Sequence, residues 1–416
     1  MTRYLVSALG SAGDVHPFIT ISQALIARGH AVRMIASPYF EERIRRAGVD
    51  FAPMGAPGDY ERVLQRPELW EPRSGSRFIL DELLQRVPEG YEVTRAAAHD
   101  ADVLIGSTLS WGMRLVQEVA GLPGATVHLS PVCIPSAIAP PILPGVGDLS
   151  WMPYWSRRLL QRAGDRFVLD RLIGPRLNGF RASLGLPPVR RIWSRWVHSP
   201  DLTIGAWPEW FAPRQPDWPP QAQTSGFPVF DEVGRLDPAL ERFIEDARAT
   251  GTAPIGITAG SAMAHGGRFY ARALDACRAL DVRVVLVTAF AGQLPSPLPG
   301  WAHRTAYAPF STLLPRLAAL IHHGGIGTSA QALAAGIPQA IVPFAHDQFD
   351  NAARLRRLGV STTLGPADPV GRWTNGLHTV LSDPAVRAAV RLGQARMRDA
   401  GRAADGIADR IERLST

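Results

Sequence analysis

The segment "ALIHHGGIGTSAQALAAGIPQAIVPFAHDQFDNA", from Ala319 to Ala352, concentrates residue types that do chemistry. An apolar run ends in His322 and His323. Gly324, Gly325 and Gly327 then lead through Ile326 and Thr328 into a helix-like stretch. Glycines between a strand end and a helix let backbone N–H groups approach an anion, and the helix dipole adds partial positive charge there. His322 can donate a hydrogen bond to a phosphate oxygen. This pattern is a phosphate cradle without a lysine, although a tight turn with glycines chosen for backbone angles has the same spelling. A second apolar run ends in Asp347 and Gln348. A carboxylate beside an amide suits sugar hydroxyls, and Asp347 as a helix cap accounts for the same spacing.

A second loop, "GSAGDVHP" (10–17), closes the first strand-like run. Its spacing is G-x-x-G, not the G-x-G-x-x-G of a dinucleotide fingerprint, so a nicotinamide cofactor is not indicated. Asp14 stands just before a helical stretch, at the carboxyl edge where parallel sheets bind ligands. General base and helix cap explain it equally well. His16 is a rival base, with an ordinary pKa better suited to proton transfer.

These loops need elements to hold them. Strand-like and helix-like runs alternate through the first half: 4–9, then a helix over 18–29, a strand over 31–36, a helix over 38–48 and a strand over 102–107. Alternation restarts near Pro254 and continues through 319–358. Such alternation predicts an α/β chain with two doubly wound parallel sheets covered by helices. The domain change falls between about 215 and 252, in the linker-like "RQPDWPPQAQTSGFPVF". Residues 133–155, "CIPSAIAPPILPGVGDLSWMPYW", are proline-rich, apolar and aromatic, as binding loops often are. Ile134, Trp151 and Trp155 there, with Trp193, Trp196 and the stretch 55–90, are candidates for a greasy pocket.

Composition narrows the chemistry. All 44 Lys+Arg residues are arginine, which excludes a Schiff-base lysine and a Walker A lysine. The formal charge is +7, but arginines are spread and often alternate with acids, so nucleic-acid binding is not expected. Cys133 and Cys277 form neither a metal spacing nor a disulfide framework, which favours a reducing cytoplasm. No signal peptide and no membrane span are read from the sequence.

With both loops in view, "GSAGDVHP" plus "HHGGIGT…GIP…VP…DQ" resembles the family 1 nucleotide-sugar glycosyltransferases of the GT-B fold, over nearly the whole chain. The Asp in "GSAGD" is similar to that of the sterol- and glycopeptide-type glucosyltransferases. Stretches outside the motifs, such as "RPELWEPRSG", "RWVHSPD" and "TSGFPVFD", resemble the catalytic chain of the bacterial rhamnolipid rhamnosyltransferase.

The resemblance implies two Rossmann-like domains facing a cleft. Residues 1–221 would bind the acceptor and 222–395 the donor, with a C-terminal helix, 396–416, crossing back to the first domain. It implies Asp14 as catalytic base and His322 as the diphosphate-stabilising residue. Gly13, Gly260, Ser261, Gly324, Gly325, Ile326, Gly327 and Thr328 would lie near the donor, Tyr307 and Ala308 at the nucleobase, and Asp347 and Gln348 at the sugar. His16, Pro17, Ile134, Trp151 and Trp155 would meet the acceptor. Plant members carry a ribose-binding Glu eight residues after the first motif histidine; counted from His322, that position is Ala330.

The implied reaction is inverting, metal-independent hexosyl transfer without a cofactor. The favoured donor is dTDP-rhamnose and the favoured acceptor a hydroxyalkanoyl lipid. The alternative is a UDP-glucose transferase for phenolic, flavonoid or sterol alcohols. A nucleotide-sugar epimerase or a non-catalytic binder stands behind both. The likeness extends to a cytoplasmic enzyme loosely associated with the inner membrane and to a partner enzyme supplying the lipid.

Overall fold

The computed structural model describes residues 1–72, 74–231, 234–399 and 402–415. The chain divides into two compact units. One comprises Met1–Leu69, Arg73–Pro228 and Arg402–Thr416; the other comprises Trp70–Pro72 and Val229–Gly401.

The first unit is built on seven parallel strands: β1 (Arg3–Ser7), β2 (Ala31–Ala36), β3 (Asp50–Pro53), β4 (Val103–Ser107), β5 (Gly124–His128), β6 (Leu202–Gly205) and β7 (Ala222–Thr224). Their order is β3-β2-β1-β4-β5-β6-β7. The chain moves outward from β1 to β3, then returns to β4 on the other side of β1. The carboxyl end of β1 is therefore the switch point where such sheets open a ligand crevice. The central strands are buried along their length, which is why they spell apolar runs without alternation. Leu5, Leu104, Trp111, Ile173 and Trp196 belong to one core cluster of this unit.

The second unit has six parallel strands: β8 (Ile255–Thr258), β9 (Val284–Val287), β10 (Ala302–Thr305), β11 (Ala319–His322), β12 (Gln339–Ile341) and β13 (Ser361–Thr363). The order β10-β9-β8-β11-β12-β13 puts the reversal between β8 and β11. The loops after those two strands are consequently neighbours.

Several boundaries differ from the sequence reading. The first helix spans Ala12–Ala27 and takes in Asp14, His16 and Pro17, because Ser11 starts it before the apolar periodicity becomes visible. The stretch 55–90 carries most of a long helix, Gly75–Ala97. Strand β7 pairs with β6, so the first sheet runs past residue 221 and its unit continues to Pro228. The expected C-terminal helix is two helices, Pro384–Asp399 and Ala403–Glu412, and Ala400, Gly401 and Thr416 lie outside the described residues.

The final helix belongs to the first unit. Ile407, Ala408 and Ile411 are fully buried, and each isoleucine side chain contributes roughly 1.5–3 kcal/mol by leaving water. Beside them, Arg28 Nη1 donates to Asp409 and Glu412, both at 2.7 Å, and its Nη2 to the Asp405 carbonyl at 3.1 Å. Glu412 also meets His30 at 2.7 Å. No helix among the described residues is long and apolar enough to cross a membrane.

Candidate active site

In the first unit, β1 delivers the chain to Gly10, which turns at φ +126°. A Cβ on Gly10 would overlap the Asp14 carboxylate, so only glycine lets the turn close over it. Ser11 is the N-cap of the first helix. Its N–H donates to Asp14 Oδ2 at 2.7 Å and its hydroxyl to the same oxygen at 2.9 Å. Asp14 is thus the acidic member of a capping box and lies inside the first helical turn, not ahead of it. Gly13 is exposed beside it. The bonds to Ser11 fix the carboxylate of a half-buried acid at the mouth of the switch-point strand, and fixing is what a base of low intrinsic strength requires.

His16 is placed differently. Arg43 Nη1 donates to its Nε2 at 3.2 Å, and Phe40 packs edge-on against the ring. Burial, and then the Arg43 charge, pull its pKa down to about 3. The advantage of an ordinary imidazole is therefore gone, and its Nε2 lone pair is engaged. Sequence reasoning missed Tyr60, which packs tilted against Tyr39 and edge-on against Phe40. Burial, Tyr39 and the Asp14 charge all hold its hydroxyl above the ordinary phenol range, so a neutral phenol stands near the carboxylate. Of the other acceptor candidates, Pro17 is buried within the first helix and Ile134 is buried, while Trp151 and Trp155 are exposed.

In the second unit, β11 ends in His322 and the glycine loop feeds a helix, Ile326–Ala335, with Gly325 as N-cap. His322 turns into the protein, with both ring nitrogens engaged. It is fully buried; Nε2 pairs with Gln339 Oε1 at 2.9 Å, and Nδ1 accepts the Gly324 N–H at 3.1 Å. Burial, then neighbouring His323, lowers its pKa to about 3, so it is a neutral brace for the loop. His323 has the complementary character. Its ring lies against Gly260, where a Cβ would come within 2.8 Å, and against Gly325. Its Nδ1 has no hydrogen-bond partner among the described residues. Burial lowers its pKa to about 4, which leaves a neutral imidazole at neutral pH.

Gly260, at φ +92°, follows β8, and Ser261 beyond it is exposed. The loops after β8 and β11 thus bring Gly260, Ser261, His323 and the N-terminus of the 326–335 helix together. Ile326, Gly327 and Thr328 form its first turn and are half-buried. Ala330 is buried in that helix, whereas Gln331 keeps its Oε1 buried without a partner among the described residues. Tyr307 is half-exposed after β10, with Ala308 buried beside it.

Asp347 is the N-cap of the helix Gln348–Arg357. Its Oδ2 accepts from Asn351 Nδ2 at 2.8 Å, and the same Asn351 amide donates to the Gly324 carbonyl at 3.0 Å. Asn351, fully buried, therefore ties the Asp-Gln loop to the glycine loop. Gln348 turns inward, its Oε1 accepting from the N–H groups of Phe344 and Ala345 at 2.8 and 3.1 Å. The Gln348 carbonyl is thus engaged within its own loop.

Two doubly wound parallel-sheet units in one chain are the architecture of a GT-B glycosyltransferase. Comparison with known proteins narrows this class. Residues 4–138 match the glycosyltransferase family 28 N-terminal domain, and residues 271–409 match the erythromycin biosynthesis protein CIII-like C-terminal domain. The O-mycaminosyltylonolide 6-deoxyallosyltransferase of Streptomyces fradiae is 30% identical over 94% of this chain and 93% of its own length. The solved glycotransferase of kitacinnamycin superposes with a TM-score of 0.75 at 19% identity, over 100% of this chain and 99% of that one. Glycosyltransferase VinC, solved in complex with dTDP, gives a TM-score of 0.67 at 20% identity, over 100% and 99%. The chain belongs to the family 1/28 nucleotide-sugar glycosyltransferases, enzymes that move a sugar from a nucleotide donor to an acceptor.

Proposed function

We propose that the enzyme performs inverting, metal-independent transfer of a deoxyhexosyl group, favoured as rhamnosyl from dTDP-rhamnose, to the hydroxyl of a hydroxyalkanoyl lipid. The observation that carries the chemistry is the Asp14 carboxylate held by Ser11 at the mouth of β1. Asp14 takes the proton of the acceptor hydroxyl as its oxygen attacks the anomeric carbon. The bond from that carbon to the diphosphate breaks on the opposite face, so the anomeric configuration inverts. General base catalysis contributes ~10²–10⁴-fold, and positioning supplies much of the remainder.

The leaving diphosphate gains negative charge. Neutral His323 donates to one of its oxygens, and the N–H groups at the start of the 326–335 helix donate to others. His322 acts through the loop it braces. Counted from His323, the ribose position of the plant motif is Gln331, whose unpaired amide oxygen suits a ribose hydroxyl. Asp347, steadied by Asn351, takes the sugar hydroxyls, and exposed Tyr307 offers a ring to the base.

The deoxy-sugar donor is supported by the 6-deoxyallosyl transfer named for the Streptomyces relative and by the dTDP named for VinC. The lipid acceptor rests on the sequence likeness to the rhamnolipid branch and on the apolar loop before Tyr154. A donor panel crossed with an acceptor panel, read as kcat/KM with products identified by mass spectrometry, tests the reading. The rhamnose donor with a hydroxyalkanoyl acceptor should lead. UDP-glucose with a phenol or sterol leading instead would overturn the donor and acceptor assignment.

A further inference from the structure

Ten of the fifteen exposed large apolar side chains among the described residues fall between Ile138 and Val168. Their centre is the helix Tyr154–Gly164, which has no buried residue, continued by the turn Asp165–Leu169. Trp151 is 79% exposed, Trp155 69%, Leu159 60% and Val168 61%. Trp155 and Leu159 are four apart and share one stripe of the helix. Exposed Arg158 and Arg162 flank that stripe.

The charge of this face is one-sided. From Trp151 to Arg171 there are five arginines, at 157, 158, 162, 166 and 171, and two acids. Both acids are committed elsewhere. Asp165 is buried against Ser194 at 2.5 Å, and Asp170 accepts the Arg191 and Ile192 N–H groups at 2.8 and 2.9 Å. Arg166 and Arg171 lie over the exposed Phe167 ring at 5.4 and 5.6 Å.

A protein partner would favour an apolar centre depleted of charge, with polar groups at the rim. Here guanidinium groups interleave with tryptophan, leucine and phenylalanine on the open face. That composition matches the boundary of an anionic bilayer, where rings and aliphatic chains enter the headgroup region and arginines meet lipid phosphates. We propose that the 151–171 face docks the enzyme on an anionic phospholipid surface. This face shares Trp151 and Trp155 with the acceptor candidates, so the test substitutes Arg158, Leu159, Arg162 and Phe167, which are not among them.

The test is co-sedimentation of the full chain with phosphatidylcholine vesicles, alone or containing one-third phosphatidylglycerol. The protein should bind the anionic vesicles only, lose binding at high salt, and show a blue shift in tryptophan emission. Leu159→Ser/Phe167→Ser and Arg158→Gln/Arg162→Gln replace exposed side chains and should keep wild-type circular dichroism. Each pair should release the protein, the arginine pair by roughly fivefold per charge. Three results overturn the proposal: no binding to either vesicle, undiminished binding by both variants, or a dimer in light scattering that Leu159→Ser/Phe167→Ser dissolves. The last would make the occupant a second copy of the chain. Failure of transfer with soluble acceptors would count against the proposed reaction while leaving the vesicle result intact.

Discussion

Adjacent histidines at the end of β11 should respond to substitution in opposite ways. His322→Ala removes a fully buried ring and leaves Gln339 Oε1 and the Gly324 N–H without their partner. Each orphaned group costs about 1–3 kcal/mol, and the cavity adds to that. At roughly 2–4 °C per kcal/mol for a unit of this size, a melting transition lowered by about 5–20 °C is expected. His323→Ala instead removes a ring whose Nδ1 has no partner among the described residues, so only packing is lost and the melting temperature should fall less than for His322→Ala. What is lost is one hydrogen bond to a charged phosphate, worth about 1.5–3 kcal/mol, so nucleoside diphosphate affinity should fall roughly 10–150-fold. Differential scanning fluorimetry and calorimetric titration with dTDP and UDP measure the two effects on the same samples. The reasoning is refuted if His323→Ala binds within twofold of wild type while His322→Ala melts normally and loses the nucleotide.

Three further outcomes follow from the geometry. Gly10→Ala should lower both stability and transfer rate, because an L-residue at φ +126° is strained and its Cβ would displace the Asp14 carboxylate; thermal melts with kcat measurements check this. Asn351→Ala should raise the donor KM more than it lowers stability, since it unties Asp347 from the Gly324 carbonyl; donor-saturation kinetics at fixed acceptor decide it. Acid should destabilise the fold well above the carboxylate range. His16, His128, His198, His322 and His323 are all held neutral by burial, with pKa values of about 3 or 4 where a figure is given and well below 6.5 for His128. The unfolded chain therefore binds more protons below pH 6.5, and stability falls as pH drops from about 6.5 toward 4. Urea melts at pH 7 and pH 5 should show the loss.

The fold was legible because buried parallel strands spell apolar runs and the helices between them spell amphipathic ones. The local start of the first helix was not, because Ser11 and Asp14 nucleate it ahead of the first apolar residues and only the paired capping geometry reveals this. The two histidines could not be told apart for a similar reason. Successive residues at a strand end point to opposite faces, and β11 is buried throughout, so no alternation marks which ring faces the loop. Counting from His322 places the ribose position at buried Ala330, and counting from His323 places it at Gln331. Asn351 did leave a trace in the sequence: an amide four residues after Asp347 on a helix lies within reach of it. The inward turn of Gln348 left none, since its bonds go to backbone N–H groups of its own loop.

The most direct test of the central claim is the kinetics of Asp14→Asn. Asparagine keeps an oxygen that can accept from Ser11, so the variant should fold and bind donor nucleotide like wild type while lacking the base. The account expects kcat/KM to drop by ~10²–10⁴, with wild-type product of inverted anomeric configuration by NMR. Near-wild-type turnover by Asp14→Asn, together with loss of turnover in His16→Ala, would contradict it.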